Sequence, residues 1–87
     1  MKNTSRIAQS HPKIGRLILE RRSELGLSQT HLLHALGKLN VQITNGAISH
    51  WESGATIPSG RVLVALCRIL ALTQADLETA YDIREIE

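Results

Sequence analysis

The stretch "NGAISHWESG", residues 45–54, reads as one short helix with a stop signal. Thr44 before it is a good helix-capping residue, and Gly54 supplies the left-handed position that ends a helix. The front half is small or polar. The back half carries the only tryptophan of the chain, Trp51, beside Glu52. Gly46 and Ala47 make a thin front, and Asn45 and His50 add hydrogen-bonding groups. Ile48 and Trp51 lie three apart and so share one helical face, where they can anchor the segment. Such a helix is suited to docking: its rear sits in a core while its front approaches something closely.

Working backwards, "SQTHLLHALGKLN" has Ser28 as N-cap and Leu32, Leu36 and Leu39 at helical spacing. Gly37 can end this helix, or it can run to Leu39 with Asn40 in the left-handed position; the continued leucine stripe favours the second, a helix over 29–39. "VQIT" then alternates apolar and polar, an extended link with Val41 and Ile43 inward. Further back, "SHPKIGRLILERRSELG" opens with Ser10 and Pro12, stops at Gly26, and carries Ile14, Leu17, Ile18 and Leu25 as an apolar stripe. Gly15 inside it should weaken the helix. Working forwards, "ATIPSG" is a loop and Ser59 caps "GRVLVALCRILA", with Leu63, Leu66 and Leu70 on one side. Thr73 and Asp76 form a capping box for a fifth helix, about 74–81. "DIREIE" is a loose tail or a short strand for a partner. The expectation is all-α with five helices: a flexible arm over 1–11, one domain over 12–81 and an acidic tail over 82–87.

Composition agrees. The chain has 87 residues and 43% hydrophobic content, enough for one modest core built without phenylalanine. No apolar run reaches membrane-spanning length, and the first residues lack the apolar block of a signal peptide. The single cysteine, Cys67, excludes an internal disulfide framework and points to a reducing, cytoplasmic setting. Up to Ala75 there are nine Lys/Arg against three Asp/Glu; from Asp76 onward there are five acids against Arg84 alone. A basic body with an acidic tail fits a polyanion-binding surface, although charge blocks are commonly just solvated faces.

Two consecutive short helices, 29–39 and 45–53, fit a helix-turn-helix, in which the second helix enters the DNA major groove. The order "LSQTHLL … ITNGAISHWESG … IPSGRVLVALCRILAL" then resembles the phage-repressor and Cro-like helix-turn-helix family, also called the XRE family, over about residues 13–77. The motifs are Leu-Ser-Gln opening helix 2, Ile-Ser-x-Trp-Glu-x-Gly closing helix 3, and a capped fourth helix ending in an apolar turn. The resemblance implies a compact five-helix domain that regulates transcription by binding double-stranded operator DNA. It places Gln29 against a phosphate or a base edge, with Ser28 beside it on the backbone. It turns Thr44, Asn45, Gly46, Ala47 and His50 towards the groove. It pairs Arg22 with Glu52 and sets Ser59, Gly60 and Arg61 against a phosphate, where free helix-start amides favour an anion. Seven residues, Lys38 to Thr44, separate Gly37 from Asn45, where the common pattern has about three; this matches a longer-turn variant. No Arg or Lys lies between Asn45 and Gly54, so the usual arginine-to-guanine contact is missing from this helix.

Other chemistry finds less support. His31 and His34 are three apart, as two metal ligands can be, but no close third ligand follows, so neither a metal nor another cofactor is expected. Ser49, His50 and Glu52 are neighbours on one helix and do not face one another as a catalytic triad must; no enzyme is expected. Cys67 reads as a small core filler and Trp51 as a core residue between helices 3 and 4. Lys2, Arg6 and Lys13 are either an arm over DNA or a solvated terminus. The reading is a DNA-binding regulator, a repressor on a palindromic site. It acts as a homodimer through helix 5 and the tail, whose Leu77, Tyr81, Ile83 and Ile86 are more apolar than a free end needs. The alternative is an antitoxin or other protein-interaction module using the same fold.

Overall fold

Apolar residues at helical spacing close α1 over Ile14–Glu24, with Ile14 and Ile18 buried on its inner side. A computed structural model of the protein describes residues 13–83. The remaining helices are α2 (Gln29–Lys38), α3 (Asn45–Ser53), α4 (Gly60–Leu70) and α5 (Gln74–Ala80), with no strand among the described residues. The expected start at Ser10 and Pro12, the arm over 1–11 and the tail beyond Ile83 lie outside the described residues. Leu25 does not belong to the stripe: it follows the last turn of α1 and is 49% exposed.

All five described helices stop in one way. Gly26, Asn40, Gly54, Ala71 and Asp82 take positive φ just after each helix. The amide of the next residue then donates back to a carbonyl of the last turn. The bonds are Leu27 to Arg22, Val41 to Leu36, Ala55 to His50, Leu72 to Cys67 and Ile83 to Glu78, at 2.8–3.0 Å. This closure satisfies carbonyls that a helix end leaves orphaned. Asn40 fills the left-handed position expected of it, so the chain turns into the extended link at residues 41–44. Ala71 adopts φ 55°, which costs an L-residue about 1–2 kcal/mol. Arg21 offsets this from α1: its guanidinium donates to the carbonyls of Leu70 and Ala71 at 3.0 and 2.9 Å and reaches the Asp76 carboxylate at 3.3 Å. One side chain thus holds α1 against the α4–α5 corner and complements the negative end of α4.

Helix starts are less uniform. Ser28 and Thr73 form complete capping boxes. In the first, the third partner is His31, whose Nδ1 accepts from the Ser28 amide at 3.1 Å. Thr44 and Ser59 occupy cap positions by backbone, but neither side chain makes the expected capping bond. At Thr44 the backbone carbonyl accepts from the Ala47 amide at 3.1 Å, a tight first turn that leaves the hydroxyl outside.

The core gathers Ile14, Ile18, Leu32, Leu36, Val41, Ile48, Trp51, Ala65, Leu66, Leu70, Leu72 and Ala80. Each fully buried Leu or Ile contributes about 1.5–3 kcal/mol. Ile43 and Leu63 are only partly buried against this cluster. Cys67 is also half-buried, packed against the edge of this cluster, and burial pushes its thiol pKa up. The two ends of the domain meet where the Lys13 amide donates to the Ala80 carbonyl at 2.8 Å.

Candidate nucleic-acid interface

The interface is built around α3, and its geometry begins at the back of that helix. Ile48 and Trp51 are 1% and 6% exposed. Opposite them, on α1, is Gly15, where a Cβ would overlap the Trp51 carbonyl. Gly15 therefore does more than weaken α1: its missing side chain lets the two helix backbones touch. Two turns further along α1, Arg22 grips Glu52 through both ends of its guanidinium, Nε to Oε2 at 2.7 Å and a terminal nitrogen to Oε1 at 3.0 Å. The side chains are 13% and 8% exposed. The remaining terminal nitrogen donates to the Leu27 carbonyl at 2.8 Å. The bond to Glu52 is the main reason the Arg22 guanidinium holds its proton more tightly than usual.

Gln29 joins this network from the first turn of α2. Its amide nitrogen donates to Glu52 at 2.9 Å, and its amide oxygen accepts from the Ser49 hydroxyl at 3.1 Å. Both Glu52 oxygens accept in this network, from Arg22 and from Gln29, so Glu52 fixes which way the Gln29 amide faces. One amide N–H and one lone pair remain for a ligand. The Gln29 side chain thus works first as a strut between α2 and α3.

The front of α3 is open. Thr44, Asn45, Gly46, Ser49 and His50 are exposed. Ala47 is half-buried and packs on the core, so it belongs to the flank of this surface. The His50 ring lies over Gly46, at the distance where an added Cβ would just touch it. Ser49, not anticipated as a contact residue, stands four residues after Asn45 on the same face and is tied to Gln29. That spacing was the signal available in the sequence. Ser28 and its capping partner His31 are exposed at the head of α2, adjoining this face through Gln29.

At the start of α4, Ser59, Gly60 and Arg61 are exposed. Gly60 enters the helix at φ 58°, and the Ser59 hydroxyl does not cap the first amides. Those amides are the kind of donors an anion uses. Arg61 donates to the Asn40 carbonyl at 3.2 Å, which places it beside the α2–α3 turn. Ser59 and Gly60 make no hydrogen bond to α3 among the described residues. Neither does any group of three His, Cys, Asp or Glu come close enough there to hold a metal ion.

Two helices joined by a left-handed turn, the second seated by its back and bare at its front, define a helix-turn-helix. The sequence matches the family model of the helix-turn-helix domain over residues 13–80, and the chain belongs to that family. This is a domain class built for DNA binding. No curated protein and no solved structure matches the chain. No described helix is long and apolar enough to cross a membrane.

Proposed function

We propose that this protein is a sequence-specific transcriptional regulator, a repressor that binds a palindromic operator as a dimer. One observation carries the reading: α3 is locked from behind by Gly15, Trp51 and the Arg22–Glu52 pair, while Asn45, Gly46, Ser49 and His50 stay in the open. A helix held so firmly, yet bare on one face, can be pressed against base edges without moving. Asn45 and His50 carry the hydrogen-bonding groups for base readout. Thr44, Gly46 and Ala47 shape the approach, and the free edge of the Gln29 amide adds a contact at its side. Ser28 and the open start of α4, Ser59 to Arg61, hold the phosphate backbone, which supplies affinity without sequence information.

Dimeric binding follows from the poverty of this face. A short helix lacking arginine reads only a few base pairs and discriminates poorly among genomic competitors. Two copies double the reading, with half-sites about 10–10.5 base pairs apart. The test is selection of bound sequences from random duplex DNA, followed by shift assays on half-site and full-site duplexes with stoichiometry from light scattering. A symmetric site bound by two chains is expected. One chain per full site, or equal affinity for a half-site, rejects the dimer; no enriched sequence rejects specific recognition.

A further inference from the structure

The most exposed of the large apolar side chains is Val64 on α4, at 70%. It does not stand alone. With Leu39, Val41 and Ala65 it lines an open groove of about 380 Å³ between α4 and the turn after α2. Arg61 and Arg68 flank this groove. They are seven residues apart on one helix, about 10.5 Å along its axis. Among the described residues, no carboxylate lines the groove. Arg68 makes no ion pair among the described residues, and Arg61 donates only to the Asn40 carbonyl. The surface is thus an apolar floor between two unneutralised cations.

We propose that this groove receives residues 83–87 of a second copy of the chain. The segment reads Ile-Arg-Glu-Ile-Glu, two isoleucines with two glutamates, and it belongs to the acidic part of the chain that begins at Asp76. Ile83 already stands 63% exposed as the chain leaves α5. The isoleucines cover the Val64 floor, and Glu85 and Glu87 meet Arg68, while Arg61 at the other end of the groove stays with the phosphate backbone. A second copy fits better than the chain's own tail, because α5 ends against the start of α1, through the Lys13–Ala80 bond, whereas the groove is formed by α4 and the α2–α3 turn. Reciprocal exchange seals two grooves with one two-fold operation, as a closed dimer requires. The proposal rests on the dimeric reading above and names the surface that makes the dimer.

The experiment measures self-association of the full chain without DNA, by sedimentation, so its outcome is separate from whether the protein recognises an operator. Arg68→Glu in one variant, and Glu85→Arg with Glu87→Arg in another, place like charges at the contact and should each weaken the dimer at least about tenfold. Mixing the two variants restores both contacts at once and should yield a heterodimer of near-parental affinity. A parent that stays monomeric at the highest concentration tested overturns the proposal. So do variants that self-associate like the parent, or a mixture that forms no heterodimer, the result expected if the tail folds onto its own groove. If Arg68→Glu weakens DNA binding and leaves self-association intact, the groove holds phosphate and the proposal falls. Circular dichroism of each variant checks that the fold is retained.

Discussion

The two faces of α3 obey opposite rules. At the back every group is committed: Ile48 and Trp51 to the core, the Trp51 carbonyl to close contact with Gly15, and Glu52 to Arg22 and Gln29. At the front Asn45 and His50 are exposed, and their side chains hold no hydrogen bond among the described residues. Stability resides on one side of a nine-residue helix and recognition chemistry on the other. A change at the back should unfold the domain, and a change at the front should alter only what it binds.

The largest effect is expected at Glu52. Glu52→Ala strands the Arg22 guanidinium in a site where it is 13% exposed and removes a partner from Gln29. The loss should approach about 3–5 kcal/mol in urea unfolding. A double-mutant cycle with Arg22→Ala should show strong coupling; coupling near zero would show that the pair does not hold α1 to α3. Next comes Gly15→Ala, which forces a methyl group into the Trp51 carbonyl and should cost about 1–3 kcal/mol. If that variant melts like the parent, the close approach of α1 and α3 is not a determinant of stability.

At the front, Asn45→Ala and His50→Ala should each weaken binding to the selected operator by about 1–3 kcal/mol and relax one position of the site. Their unfolding midpoints should match the parent, since both side chains are exposed. An unfolding shift as large as the binding loss would erase the distinction between the faces. Away from α3, Ala71→Gly should add about 0.5–1 kcal/mol of stability by relieving the left-handed strain at φ 55°, with operator binding unchanged.

The smallest effect concerns pH. The Thr73 amide, first of all, and then the Thr73 hydroxyl and Arg21 hold the Asp76 carboxyl below its usual pKa. A depressed folded-state pKa means that this cap stabilises the protein fully above the ordinary aspartate value, about 3.9, and is lost as pH falls below it. Asp76→Ala should remove that part of the acid-induced loss while leaving the neutral-pH binding of α3 as it was. An identical acid profile would show that the α5 cap has no part in acid unfolding.

The local elements follow from nearest-neighbour chemistry, so they are legible in the chain alone. Leucine spacing marks α2 and α4, Gly26, Asn40 and Gly54 mark three helix ends, and the Thr73–Asp76 pair opens α5. The thin front and heavy back of α3 were equally plain in "NGAISHWESG". What involves partners distant in sequence was less legible. Gly15 read as a weakness within α1 because its reason lies in Trp51, 36 residues away. Gln29 read as a free contact residue, because Glu52 and Ser49 reach its amide only once α2 and α3 pack. Arg21 carried no signal at all: its acceptors at Leu70 and Ala71 are backbone carbonyls, which no side-chain pattern reveals. Thr44 and Ser59 have the right chemistry for capping, but the entry path of the chain turned their hydroxyls elsewhere. Periodicity and caps determined by themselves that residues 13–83 make five helices and which side of each is apolar. Only the tertiary structure decided which polar groups are consumed in holding α3 and which remain free, because that depends on distances between helices that packing alone sets.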